Sequence, residues 1–214
     1  MDFLVVIAVG LMGYFVGSLP TGYLVARARG VDIRQSGSGN IGATNVFRVL
    51  GKPAGVLVLV VDGLKGYAAC AWGTNLTLHV FGLTLDGAEL YPIVAGIAAV
   101  LGHNFTCWLR FKGGKGIATS AGVYFALAPL AAGLAVGTWV IALLLTRYVS
   151  VASVLASVAL PLAVWLTPNH LSLRLVTTAL GVLAIGKHRS NLRRLWNGTE
   201  LRLGRKPPTP EVAP

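Results

Sequence analysis

The chain has 214 residues, 55% of them hydrophobic and only 12% charged, about half the charge fraction of an ordinary soluble domain. With a mean hydropathy of +0.71, this composition excludes a purely aqueous fold, and lipid must solvate part of the surface. The net charge of +11 does not point to nucleic acid, because the cations stand in short blocks between apolar runs rather than along one face. Such blocks are expected of loops held on the cytoplasmic side, next to anionic headgroups.

In chain order the apolar runs predict seven spans, and the fold class expected is an all-α integral membrane protein, a seven-transmembrane helix bundle. The first span covers about 3–25 and is followed by a Gly-rich loop to about 53. Further spans fall at about 54–73, 91–110, 117–129, 131–147, 151–167 and 174–187, ahead of a basic tail. One helix over 117–147 would be about 46 Å long at 1.5 Å per residue, too long for a single upright span. Pro129 is the predicted turn point.

Charge decides the count. With seven spans and the N-terminus outside, Arg27, Arg29, Arg34, Arg48 and Lys52 share one side with Arg110, Lys112, Lys115, Arg147 and the whole basic tail. Only Arg174 lies on the far side, and Lys65 lies within a span. Merging the fourth and fifth spans would divide the cations almost evenly, against the positive-inside rule. The reading is therefore one polytopic domain over 1–214, its C-terminus cytoplasmic and 200–214 a flexible tail. The opening Met1-Asp2 carries no cationic segment ahead of its apolar run, which predicts a retained membrane anchor. Gly13…Gly17 and Gly133…Gly137 are expected to let helices approach closely.

Three segments carry chemistry. Residues 36–51 hold Gly37, Gly39 and Gly42 at G-x-G-x-x-G spacing, with Asp62 twenty residues beyond. No strand precedes them, so a dinucleotide fold is excluded. Their physics still suits an anion: glycines let backbone N–H groups converge, and Ser38, Asn40, Thr44 and Asn45 add donors. Arg48 adds a planar cation suited to phosphate. In 102–119, Lys112 and Lys115 bracket Gly113 and Gly114 at the start of a helix, where free N–H groups attract phosphate. It is not a Walker loop, since Leu109 stands where a glycine would be required. In 186–200, His188 and Asn191 at i, i+3 share a helix face, making His188 a candidate polar contact or general base. Asp62 and Lys65 share the same spacing inside the second span, as a structural pair or a contribution to the site. Cys70 and Cys107 are packing thiols by default, the four histidines stand far apart, and no metal-ligand spacing occurs.

Three stretches, GSGNIGATNVFRVLG at 37–51, GHNFTCWLRFKGGKGIAT at 102–119 and HRSNLRRLWNGTE at 188–200, resemble the bacterial membrane acyl-phosphate:glycerol-3-phosphate acyltransferase family (PlsY). RYVSVAS at 147–153, with Arg147 and Ser150, looks like a fourth family segment. Thr106-Cys107-Trp108 departs from the proline and smaller apolar residues of many relatives. The resemblance implies that the 1-hydroxyl of glycerol 3-phosphate attacks a long-chain acyl phosphate, giving lysophosphatidate and phosphate without a cofactor. It implies Ser38, Arg48 and Lys115 as ligands of the glycerophosphate, and Asn40–Asn45, including Gly42 and Thr44, as the acyl-phosphate cradle beside Gly39. His188 and Asn191 would line the reacting centre. Contact with membrane lipid, and transient contact with a soluble acyl-phosphate synthase, are further implications, as is a bacterial inner-membrane location with the site facing the cytoplasm. No histidine is followed five positions later by aspartate, the pattern of the soluble-domain glycerophosphate acyltransferases.

Overall fold

The computed structural model describes residues 2–83 and 89–204, and every regular element among them is helical. The first apolar run is α1 (Phe3–Ser18) and α2 (Thr21–Arg27). Asp2 caps α1 by accepting from the Leu4 N–H at 2.9 Å. The run breaks at Leu19-Pro20, because Pro20 has no N–H to donate. Side chains take up the carbonyls freed there: Thr106 Oγ1 donates to Ser18 O at 2.6 Å and Lys65 Nζ to Leu19 O at 2.8 Å. The short amphipathic α3 (Ala43–Leu50) follows the glycine loop and meets α4 (Lys52–Ala68) at Gly51, whose φ of +89° a side chain would resist.

A π-turn at Ala69–Gly73 joins α4 to α5 (Thr74–Val80), so Lys52–Val80 forms one apolar rod. Then come α6 (Leu90–Asn104), α7 (Ile117–Leu127), α8 (Pro129–Thr146), α9 (Val149–Leu166), α10 (Leu171–Lys187) and α11 (Arg189–Trp196). Among the described residues five helices are long and apolar enough to cross a membrane: Phe3–Arg27, Lys52–Val80, Leu90–Leu109, Pro129–Thr146 and Val149–Leu166. The predicted break at Pro129 is present, with Pro129 opening α8. Helix α7 has only 11 residues, about 16 Å of rise against a hydrocarbon layer of ~30 Å. Crossing by α7 requires a locally thinned layer.

Packing follows the small residues. Helix α1 lies on α6, α4 on α7, and α9 between α8 and α10. A methyl group on Gly13 or Gly17 would collide with the α6 backbone at Ala95 or Ala99, and one on Gly122 with Gly63. Gly133 and Gly137 have nothing within 4 Å of where a Cβ would sit, so this half of the close-approach expectation is wrong. The spacing is present, but among the described residues nothing packs against these two glycines. Large apolar side chains such as Phe3, Leu145 and Leu166 are exposed, the surface of a protein solvated by lipid.

Candidate active site

The glycine loop is organised by one side chain. Asn45, buried on α3, accepts from the Ser38 N–H at 2.8 Å and donates to the carbonyls of Ser36 at 3.0 Å and Asn40 at 2.9 Å. Both ends of its amide are committed to the loop, so Asn45 shapes the cradle from behind. Asn40 Oδ1 accepts from the Gly42 N–H at 2.8 Å, closing an Asx turn. Gly37 and Gly39 both have positive φ, and a methyl on Gly37 would strike the Asn45 carbonyl. The loop thus hands over to α3, which carries Thr44 and Arg48 into the bundle.

Lys115 arrives from a second turn. The Gly113 and Gly114 N–H groups donate to Asn104 O at 3.2 Å and His103 O at 3.0 Å, capping α6. Their donors are spent on a helix end, and neither glycine lines the cavity below. Lys112 is exposed on the outer side of this turn. Asp62 forms an ion pair with Lys65 at 2.8 Å, and His103 Nδ1 lies 3.7 Å from the same carboxylate oxygen. The pairing read from the i, i+3 spacing is present, and the Asp62 carboxylate also faces the cavity.

The third segment closes the ring. Lys115 Nζ donates to Asn191 Oδ1. Asn191 Nδ2 donates to Glu200 Oε1 at 2.7 Å, and Arg194 Nε to Glu200 Oε2 at 2.7 Å. Arg48 Nη2 donates to Leu201 O at 3.1 Å. Glu200 is 8% exposed, and Leu203 N–H donates to Arg147 O at 2.7 Å. The chain at Glu200–Leu203 is therefore a strap docked on the site, which corrects a flexible tail starting at 200; residues 205–214 lie outside the described residues. Arg147 holds this strap by its backbone while its side chain is exposed. Ser150 Oγ is buried at the cavity wall without a hydrogen-bond partner among the described residues.

Electrostatics follow from burial. Burial pushes the Lys115 ammonium down to about 8, with Glu200 opposing and Arg194 and Arg48 reinforcing. Burial, reinforced by Lys115, pushes the His188 imidazole down to about 4. Burial raises Glu200, but hydrogen bonds from Asn191 and Arg194 outweigh it and hold its carboxyl below the ordinary value. His188 Nδ1 stands 2.8 Å from Ala184 O; a carbonyl only accepts, so Nδ1 carries the proton. A neutral His188 then has its lone pair on Nε2, ready to accept a proton.

One cavity of about 370 Å³ joins these groups. Ser38, Asn40, Arg48, Lys115, His188 and Asn191 line its polar end, together with Gly42, Thr44, Asn45 and Ser150. Gly39, Lys112, Gly113, Gly114 and Arg147, all expected at the site, do not line it. Two lining features escaped the sequence reading. Glu200 ends a motif already singled out, and as the lone acid after a run of arginines it was the available signal. The apolar part, running down α7–α10 past Trp139, Ala156 and Leu180, had none, since these residues look like any span.

A cationic head opening into an apolar channel, inside a membrane bundle, defines an integral membrane protein built to handle a phosphate-bearing amphiphile. The comparisons agree. The profile of the glycerol-3-phosphate acyltransferase family matches residues 7–198, and the chain belongs to that family. It is 47% identical over 197 residues to a glycerol-3-phosphate acyltransferase of Synechococcus sp. (strain JA-2-3B'a(2-13)), covering 92% of this chain and 94% of that one. It is 44% identical over 187 residues to the one of Geotalea daltonii, covering 87% and 92%. Its fold superposes with a TM-score of 0.83 on the crystal structure of PlsY (YgiH), an integral membrane glycerol 3-phosphate acyltransferase, in its glycerol 3-phosphate form; the two are 38% identical over 93% of this chain and 96% of that one. The lysophosphatidic acid form of PlsY superposes with a TM-score of 0.81 at 37% identity, covering 93% and 95%.

Proposed function

We propose that this protein transfers a long-chain acyl group from acyl phosphate to the 1-hydroxyl of glycerol 3-phosphate, the first acylation in phospholipid synthesis. The observation that carries the reading is the single cavity in which Arg48 and Lys115 face an apolar channel between α7 and α10. The reaction needs two phosphates held together and one hydrocarbon chain held out of water, and the cavity offers both environments.

In the balanced step, the hydroxyl oxygen forms the new C–O bond, the acyl–O(phosphate) bond breaks, and the hydroxyl proton leaves with the released phosphate. Arg48, Lys115 and Ser38 bind the glycerophosphate, and the Asn40–Thr44 turn approaches the acyl phosphate. Acyl phosphate is already activated, so positioning and charge stabilisation carry most of the rate. His188 Nε2 takes the proton in transit.

Seven spans, with the N-terminus outside and the polar end of the cavity facing the cytoplasm of a bacterial inner membrane, follow from the distribution of cations. On that side the site is open to a donor supplied by a soluble acyl-phosphate synthase, with transient contact between the two. Purified protein given synthetic acyl phosphate should release phosphate rapidly only when glycerol 3-phosphate is added, with 1-acylglycerol 3-phosphate appearing in equal amount. Release that ignores glycerol 3-phosphate would sink this reading.

A further inference from the structure

The apolar part of the cavity ends at a definite level. On α9 the lining residues are Val149, Ser150, Ser153, Ala156, Ser157 and Leu160; on α10 they are Ala184, Gly181, Leu180 and Thr177, with His188 just past its end. Both series run at helical spacing away from the polar end, for roughly 15 Å at 1.5 Å per residue. On α7 the series ends at Tyr124 and on α8 at Ala132. About one turn further on stand Ala128, at the junction of α7 and α8, Ala163 and Val164 on α9, and Leu173 on α10, all buried in one apolar core cluster that also takes in Tyr124, Ala131 and Ala132. Four helices thus stop the channel at one depth, where the packed core begins.

We propose that Tyr124, Ala132, Leu160 and Thr177 form a floor that measures the acyl chain, with the Tyr124 ring as its largest element. This rests on the acyl-transfer reading above. Tyr124 is 1% exposed and its hydroxyl makes no hydrogen bond among the described residues, so the ring, not the hydroxyl, sets the depth. Thr177 is held in place, its hydroxyl spent on Leu173 O at 2.6 Å. Nearer the head, Leu59, Val136 and Val140 line the cavity while remaining partly exposed. These exposed lining residues on α4 and α8 mark the side on which the cavity meets lipid. A chain longer than the floor allows must bend out through that side, which draws its acyl carbon away from the polar end.

The test is kcat/KM across a series of acyl phosphates of increasing length, with glycerol 3-phosphate saturating. With the donors dispersed at one mole fraction in the same lipid, kcat/KM changes little while the chain fits, because its methylenes pass from one apolar environment to another, and it falls beyond a break point where the chain meets the floor. Tyr124→Ala and Leu160→Ala move the break point to longer chains, Ala132→Leu moves it to shorter ones, and Tyr124→Phe leaves it in place. Damage to folding lowers every chain length alike and cannot move a break point in opposite directions. A common break point in wild type and in all of these variants overturns the floor. Absence of acyl transfer at any chain length in the wild type overturns the functional reading instead.

Discussion

Asn191 and Glu200 are joined at 2.7 Å, the Asn191 amide donating to Oε1 of a carboxylate whose other oxygen accepts from Arg194. This bond fixes which way the Asn191 amide points. Its oxygen is thereby turned toward Lys115 Nζ, which donates to it. A residue outside the cationic pair thus sets the position of the Lys115 ammonium at the polar end of the cavity.

Glu200→Gln should keep the strap in outline while losing the charge that holds Arg194 and steadies Lys115. Hydrogen bonds to charged groups contribute about 1.5–3 kcal/mol, so kcat/KM for glycerol 3-phosphate should fall roughly ten- to a hundredfold. Glu200→Asp should recover less than half of the lost free energy, being too short to reach both partners. Steady-state kinetics on purified protein decides it.

On the proposed reading, Arg48→Ala and Lys115→Ala should each raise the KM for glycerol 3-phosphate and lower turnover, since each would leave a phosphate oxygen without its cation. A pH dependence follows from Lys115, whose pKa burial lowers to about 8. The ammonium is charged below that value and lost above it, so phosphate affinity should decline as pH rises past about 8. Bound phosphate favours the charged form and moves the limb upward in kcat relative to kcat/KM. Lys115→Arg should abolish the alkaline limb, because guanidinium does not titrate in this range. A limb that persists in the arginine variant belongs to another group.

His188→Ala should lower kcat by about 10²–10⁴-fold, the usual contribution of a positioned base, with little change in KM. Burial holds the imidazole near 4, so it is neutral from pH 5 to 8 and its titration should not appear in that window. Near-normal turnover in the alanine variant would hand the proton to an oxygen of the substrate phosphate.

Gly17→Leu should destabilise the bundle strongly, because its side chain would drive into the Ala99 carbonyl on α6; overpacking typically costs about 1–3 kcal/mol or more. Gly133→Ala meets open space and should be neutral or slightly stabilising, a helical glycine being about 1 kcal/mol worse than alanine. Thermal unfolding in one detergent compares the two.

Asp62→Asn leaves the Lys65 ammonium buried without its counter-charge, a loss of about 3–5 kcal/mol for a broken buried pair. The double variant Asp62→Asn with Lys65→Met removes the stranded charge and should recover part of that stability. If both variants unfold at the same temperature, the hydrogen bond from Lys65 to Leu19 O matters more than the charge.

Much of this protein was legible in the order of its residues. Apolar runs and Pro129 located the helices, and the blocks of Arg and Lys separated by those runs placed the three motifs at one end. The glycine pattern of 36–51 announced a turn-rich loop, and the Asp62–Lys65 pair was readable from spacing, because both features are local along the chain. What the tertiary structure alone decided is non-local. Gly113 and Gly114 look like phosphate donors until α6 supplies the carbonyls that occupy their N–H groups. Gly13…Gly17 and Gly133…Gly137 are the same pattern, and only the presence or absence of an opposing helix tells them apart. Glu200 joins the site through a strap that returns past Arg147 and Tyr148. The channel down to Tyr124 left no mark in the pattern, for a reason particular to membranes: a residue facing lipid and one lining an apolar channel are both apolar. Hydropathy, which separates inside from outside in water, cannot separate them here.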